Sequence, residues 1–301
     1  MRRRPAALAA LLLGSVVLVL AGGASPEGRP LPPVGTTSTT SAPSPRWRTV
    51  WEDDFDGPAV SSDRWRVEHS TFGDGNRELQ CYTPDNVSVA DGRLVLEARR
   101  APTTCPNGST RAYSSGMVRS SAAWAYGAFE VRARVPVGAG FLPAVWLLPT
   151  FYPYGRQGRS GELDVVEVNT SDPHAAIVTA HWSHEDCGWG CARYGRRVPV
   201  AAADGFHTYR LEWAPGQLLW LVDGDPVFEL GDGAPARWSS GAATPAASSA
   251  TYPAPFDAQN PMYLLLNLAV GGDTPGPPDS RTPFPARLEV DRVTVQRREP
   301  G

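Results

Sequence analysis

No segment of about 12 or more residues carries the 3.6-residue apolar period of an amphipathic helix, which argues against a helical bundle. There is no internal repeat, and past the first twenty residues no run is long and apolar enough to span a bilayer. Lysine is absent. All 28 basic residues are arginine, a bias that reads as coding composition and carries little functional information. The basic residues form no clear cluster and the formal net charge is −3, more negative still once Arg2, Arg3 and Arg4 leave with a cleaved leader. That balance argues against a polyanion such as nucleic acid as partner and favours a neutral or weakly charged ligand. What the 301 residues do contain is 42% hydrophobic residues, enough for a full core, with 30 Gly, 30 Pro and ten Trp, the composition of a turn-rich β protein.

Residues Met1 to Arg4 are basic, Ala6 to Leu20 are apolar and Gly22-Gly23-Ala24 offers small residues at a cleavage site, so 1–24 reads as a signal peptide and the product as secreted. No membrane association is expected after cleavage, although a tether to the cell envelope stays open. From 25 to 46 the chain is Pro, Ser, Thr and Gly, a linker that cannot bury enough surface to order itself. The body, 47–299, has a length that a single β sandwich reaches, and a monomer is expected. Four cysteines in an exported chain suit two disulfides, and neighbourhood favours Cys81 with Cys105 and Cys187 with Cys191. A competing reading is zinc bound by His181, His184, Cys187 and Cys191, spaced H-x2-H-x2-C-x3-C.

Within the body, β-rich runs recur at 93–98, 128–135, 208–213, 218–222 and 287–295, punctuated by Asp91-Gly92, Pro215-Gly216 and Asp223-Gly224. In the second run Phe129, Val131, Ala133 and Val135 share one face, while Glu130, Arg132 and Arg134 share the other, as a half-buried strand requires. The expected architecture is all-β, antiparallel sheets packed face to face. The Ala, Ser, Gly and Pro stretch from about Gly231 to Tyr252 reads as a surface loop.

One segment places acids where acids are costly: Glu162-Leu163-Asp164-Val165-Val166-Glu167. Strict alternation puts Glu162 and Asp164 on one face and Glu167 on the other. One bulge residue in the Val165-Val166 pair returns Glu167 to the first face, and bulges are frequent beside active sites. Two carboxyls facing a sugar can divide glycoside hydrolysis between them, one as nucleophile and one as acid then base. Backbone positions four apart on one face are separated by roughly 13 Å, so the side chains must lean together on a curved sheet. Asp164, between them, would hydrogen-bond a Glu and hold the protonation states apart. Three solvated acids on a strand face would read the same way in isolation.

Context favours the catalytic reading. The segment Gly138 to Pro149, followed by the E-x-D-x-x-E acids, resembles glycoside hydrolase family 16, in its laminarinase-like, endo-1,3-β-glucanase branch. Trp51 to Gly57, Asn76-Arg-Glu-Leu-Gln-Cys-Tyr-Thr83, Phe206 to Trp213, Leu266 to Gly272, Thr282 to Pro285 and Val290 to Val293 look like further motifs of that family, in order along the body. The resemblance implies a jelly-roll β-sandwich whose concave face holds a β-glucan chain, and hydrolysis with retention of configuration. It implies Glu162 as nucleophile, Glu167 as acid/base and Asp164 as the assisting carboxylate. Trp146 would lie on the cleft floor under a sugar ring, with core packing as its alternative, and Asn76 and His181 would contact sugar or be satisfied within the fold. No cofactor is implied for catalysis. A structural Ca²⁺ on the convex side would be held by Asp291 and Gly92.

Two departures bear on substrate. Leu142 and Thr274 stand where the branch usually carries Trp, so two aromatic platforms are missing. Trp189, in the loop after His184, could replace one of them. Galactan- or agarose-type hydrolysis, transglycosylation through the same covalent intermediate, and non-catalytic glycan binding are the alternatives, the last disfavoured because both Glu residues are present.

Overall fold

The computed structural model describes residues 46–155, 158–182, 192–231, 234–237 and 255–299. The expected signal peptide, and the expected linker up to residue 45, lie outside them. So do Trp189, His184, Cys187 and Cys191, and with them the zinc reading and the second disulfide. Among the described residues the chain is β, with 3-10 turns at Asp74–Asn76 and Pro84–Asn86 as its helical segments.

Two antiparallel sheets pack as a sandwich. The seven-stranded sheet runs in the order Ala192–Pro199, Ala175–Trp182, Glu162–Glu167, Phe141–Pro149, Met262–Val270, Met117–Ser120, Trp65–Val67. The nine-stranded sheet runs from Ala234–Arg237 through Asp225–Gly231, Gln217–Val222, His207–Ala214, Gly127–Arg134, Ala286–Arg298 and Arg93–Ala98 to Val87–Ala90, with Trp47–Asp53 also paired to Ala286–Arg298. The five β-rich runs read from the sequence are strands to within a residue or two at most ends. The expected loop after Gly231 begins instead with a short edge strand, Ala234–Arg237, whose Ala234 pairs with Gly231 and Arg237 with Glu229. Pairing to a preformed neighbour overrides the weak β propensity of that composition.

Period two decides what each face of the smaller sheet buries. In Phe141–Pro149, Phe141, Val145 and Leu147 join the core between the sheets. Ala144, Trp146 and Leu148 join a second apolar cluster on the opposite face, with Tyr82, Met117 and Leu265. The inner core takes whole aromatic side chains, among them Trp65, Trp213 and Trp220, from both sheets. Such burial is the main stabilising term of the fold. The second cluster is the floor of a cleft.

A Cys81–Cys105 disulfide, with Cα atoms 5.8 Å apart, ties strand Gln80–Tyr82 to the small hairpin Thr103–Thr104 and Thr110–Arg111. The hairpin in turn holds the wall of the cleft. Arg111 donates to Asp74 at 2.7 Å, and Asn107 donates to Thr71 at 3.4 Å.

Candidate active site

Gly161 turns the chain into the acid-bearing strand. Its φ of +76° is left-handed, and a Cβ there would stand 2.5 Å from the Phe256 ring, so only glycine fits. Along Glu162–Glu167, Leu147 pairs with Leu163, Trp146 with Asp164, Val145 with Val166 and Ala144 with Glu167. Val165 is therefore the extra residue, and the register on the other side, Asp164 with Thr179 and then Glu167 with Ile177, slips at the same place. Val165 and Val166 both go into the inner core, 1% and 4% exposed, which returns Glu167 to the face of Glu162 and Asp164. All three acids line one cleft of about 680 Å³.

The bulge is held from beneath. The indole Nε1 of Trp220, in the opposite sheet, donates to the Asp164 carbonyl at 2.8 Å. A buried carbonyl beside a break in the ladder needs such a partner.

Around the acids, His181 pairs in register with Glu162 and points the same way. Its Nε2 lies 3.0 Å from Oδ2 of Asp164, whose side chain is almost wholly buried. Burial pushes the Glu162 carboxyl well above the usual range; the charge of Asp164 raises it further, the His181 imidazole opposes the shift, and Glu167 adds to it. A hydrogen bond between Glu162 and Asp164 raises it as well. Glu162, Asp164 and His181 each offer a ligand atom within 4.8 Å of the others, a set able to hold a transition-metal ion.

Trp146, 9% exposed, lies in the floor, its Nε1 donating to Asn267 Oδ1 at 2.7 Å. Asn267 Nδ2 donates in turn to the Tyr82 hydroxyl at 3.0 Å, which fixes the plane of the indole. Asn76 is exposed on the cleft rim and donates to Glu78 at 3.3 Å. Leu142 lines the cleft, whereas Thr274 is exposed in a turn, its carbonyl accepting from Asn169 at 3.1 Å. The sequence reading passed over four residues that bear on this site: Glu78, Phe72 and Tyr152 in its lining and Trp220 beneath it. Among the described residues the lining contains carboxylates and no arginine, with His181 set just behind Asp164.

Residues 65–274 match the model of the glycosyl hydrolases family 16. The chain belongs to that family. It is 36% identical over 274 residues to a β-glucanase of Rhodothermus marinus, covering 86% of this chain and 88% of that one. It is 35% identical to a glucan endo-1,3-beta-glucosidase of Cryptopygus antarcticus, over 75% of this chain and 82% of the other. Among solved structures, the endo-beta-1,3-glucanase from Pyrococcus furiosus superposes with a TM-score of 0.72 at 30% identity, covering 85% of this chain and 97% of that one. The protein is thus a family 16 glycoside hydrolase on a jelly-roll sandwich, and hydrolases of this family need no catalytic cofactor.

The residues of the expected calcium site lie on the outer sheet. Asp291 pairs with Arg132 at 2.8 Å, both side chains partly exposed. Arg93, Arg132 and Arg134 crowd the Phe206 ring at 5.2, 4.8 and 5.1 Å, adding positive charge to the same surface. Gly92 sits in the Asp91-Gly92 turn with φ +67° and serves the hairpin.

Proposed function

We propose that the protein is a secreted endo-acting β-1,3-glucanase that cleaves with retention of configuration. The observation that carries this is the Val165 bulge, which gathers Glu162, Asp164 and Glu167 on one face of a strand in a cleft with an aromatic floor. The printed names of the relatives support β-1,3-glucan as the polysaccharide. An acidic lining with no arginine among its described residues supports a neutral chain over a sulfated one.

In this reading Glu162, whose proton burial favours, passes it to Asp164 when substrate binds and is left ionised. Glu162 attacks the anomeric carbon while Glu167 gives its proton to the departing glycosidic oxygen, forming a glycosyl ester and a free sugar end. Glu167, now a carboxylate, takes a proton from water; the hydroxide displaces Glu162 and the second product leaves. His181 keeps Asp164 oriented, and the cation it forms on protonation offsets part of the acid cluster's repulsion.

The test is release of reducing ends from a panel of β-1,3-glucan, mixed-linkage glucan, galactan and agarose. Preferred cleavage of β-1,3-glucan, abolished in Glu162→Gln, is expected. Undiminished activity in that variant removes the mechanism, and preference for galactan or agarose removes the substrate.

A further inference from the structure

Glu78 is a buried carboxylate of the cleft that the reaction above does not use. It is 8% exposed and bridges Gly271, just past the end of strand Met262–Val270. That strand lies two places from the acid-bearing strand, so Glu78 sits at least about 10 Å across the floor from the reacting bond.

Its seat is built for a carboxylate. Gln80 Nε2 donates to Oε2 at 2.7 Å and Asn76 Nδ2 to Oε1 at 3.3 Å. Gly73, left-handed at φ +96°, leaves the space that the group fills; a Cβ there would stand 1.9 Å from Oε2. A Cβ on Gly272 would come within 3.1 Å of Cγ. The Tyr82 hydroxyl joins the same network, which continues through Asn267 to the Trp146 indole.

Among the described residues no ion pair joins Glu78 to a cation, whereas Glu97 and Glu289 on the outer sheet are each paired to arginine. Burial raises its pKa even against the amide donors, and Asp74 adds to the rise. For folding alone an amide would serve this place with less desolvation cost. An ionised carboxylate has about four acceptor positions. Gln80, Asn76 and Tyr82 take at most three, leaving one for a donor arriving from the cleft.

We propose that Glu78 is a specificity-determining residue that accepts a hydrogen bond from a hydroxyl of a sugar unit away from the scissile bond, while Trp146 supports the chain between. The assignment rests on the glycanase reading and adds to it the part of the cleft that selects a neutral, hydroxyl-rich sugar. Asn76 then has two tasks, holding Glu78 and lining the rim beside it.

The experiment compares wild type and Glu78→Gln on the polysaccharide that the wild type cleaves best, together with an activated aryl glycoside short enough to fill only the reacting positions. The expected result is a KM raised about tenfold on the polymer, the size of one charge-assisted hydrogen bond, with kcat within about twofold and the aryl substrate unaffected. An unchanged KM in a folded variant overturns the assignment, as does an equal loss on both substrates. Should Glu78→Gln not fold, Glu78→Asp, which keeps the charge and withdraws it by one methylene, is read against the same criteria. If the wild type cleaves nothing in the panel, the glycanase reading fails separately. Calorimetric binding of the panel glycans to wild type and Glu78→Gln then decides the assignment: weaker binding by the variant supports it, and equal or absent binding overturns it.

Discussion

Replacing Trp220 with phenylalanine keeps most of a buried ring and removes one donor, the Nε1–H that reaches across the sandwich to the Asp164 carbonyl. Trp220 is fully buried and stacked on Phe228, with ring centroids 5.2 Å apart, so no water replaces the lost donor without a rearrangement of the core. An unsatisfied buried carbonyl costs about 1–3 kcal/mol, and the smaller ring leaves a void worth about 1 kcal/mol more. The carbonyl belongs to the residue at the bulge, and the cheapest relief is to re-aim it, which moves the ribbon carrying Glu162 and Glu167. A displacement of about 1 Å between reacting groups can lower a rate about 100-fold. Trp220→Phe is therefore expected to lose about 2–4 kcal/mol in urea melts and to lower kcat by about 10- to 100-fold, with KM changed little. Trp65→Phe is the control. Trp65 is as deeply buried and donates to Asp53 at 2.8 Å, but on the far edge of the smaller sheet. It should lose similar stability and keep its kcat. Equal kcat in the two variants at equal stability loss would refute the claim that Trp220 aims the acids.

Three further outcomes are expected. Glu162→Gln should be nearly inactive yet more stable at neutral pH. The raised carboxyl pKa means the native state holds this proton more tightly than the unfolded chain, so stability is lost as pH rises from the ordinary value of 4.5 through the raised one. The amide removes that loss, so its melting advantage should shrink below that ordinary value; an advantage independent of pH would count against the assigned shift. Phe72→Ala should raise KM about fivefold with kcat held, because this half-exposed ring, 5.6 Å from Trp146, extends the apolar platform that Leu142 and Thr274 do not provide; steady-state kinetics on the polymer check it. Opening the Cys81–Cys105 link should cost about 3 kcal/mol for a loop of 24 residues and raise KM, since the hairpin it anchors holds Asp74 and Thr71 at the cleft wall. Denaturation and kinetics of the Cys81→Ser, Cys105→Ser double variant measure both.

The acid strand was legible in the sequence because apolar and acidic residues alternate there until the Val165-Val166 doublet, and a doublet in an alternating strand has few solutions other than a bulge. Trp220 was not. Its run, 217–222, reads as one more apolar strand, and only the stacking of two sheets brings its indole under Asp164. Glu78 sits in a motif visible at the outset, yet its burial depends on Gly73 nearby and Gly271 nearly two hundred positions away. Asp291 and His181 show the opposite limit. Their neighbours in sequence did not reveal Arg132 as the partner of the first, or Asp164 as that of the second, because cross-strand register supplies both.

The contrast among the carboxylates sorts structural acids from working ones. On the outer sheet Glu97, Glu289 and Asp291 each meet an arginine, and such half-exposed pairs contribute little to stability and ask little of their surroundings. In the cleft, Glu78, Glu162, Asp164 and Glu167 share the lining without one arginine among its described residues. Crowding like charges there lowers stability, and the packed core beneath the floor has to offset it. A sulfated or uronic chain entering the cleft would meet repulsion from several carboxylates and, among the described lining residues, no arginine to offset it. A neutral glycan meets acceptors for its hydroxyls and an indole for its ring faces.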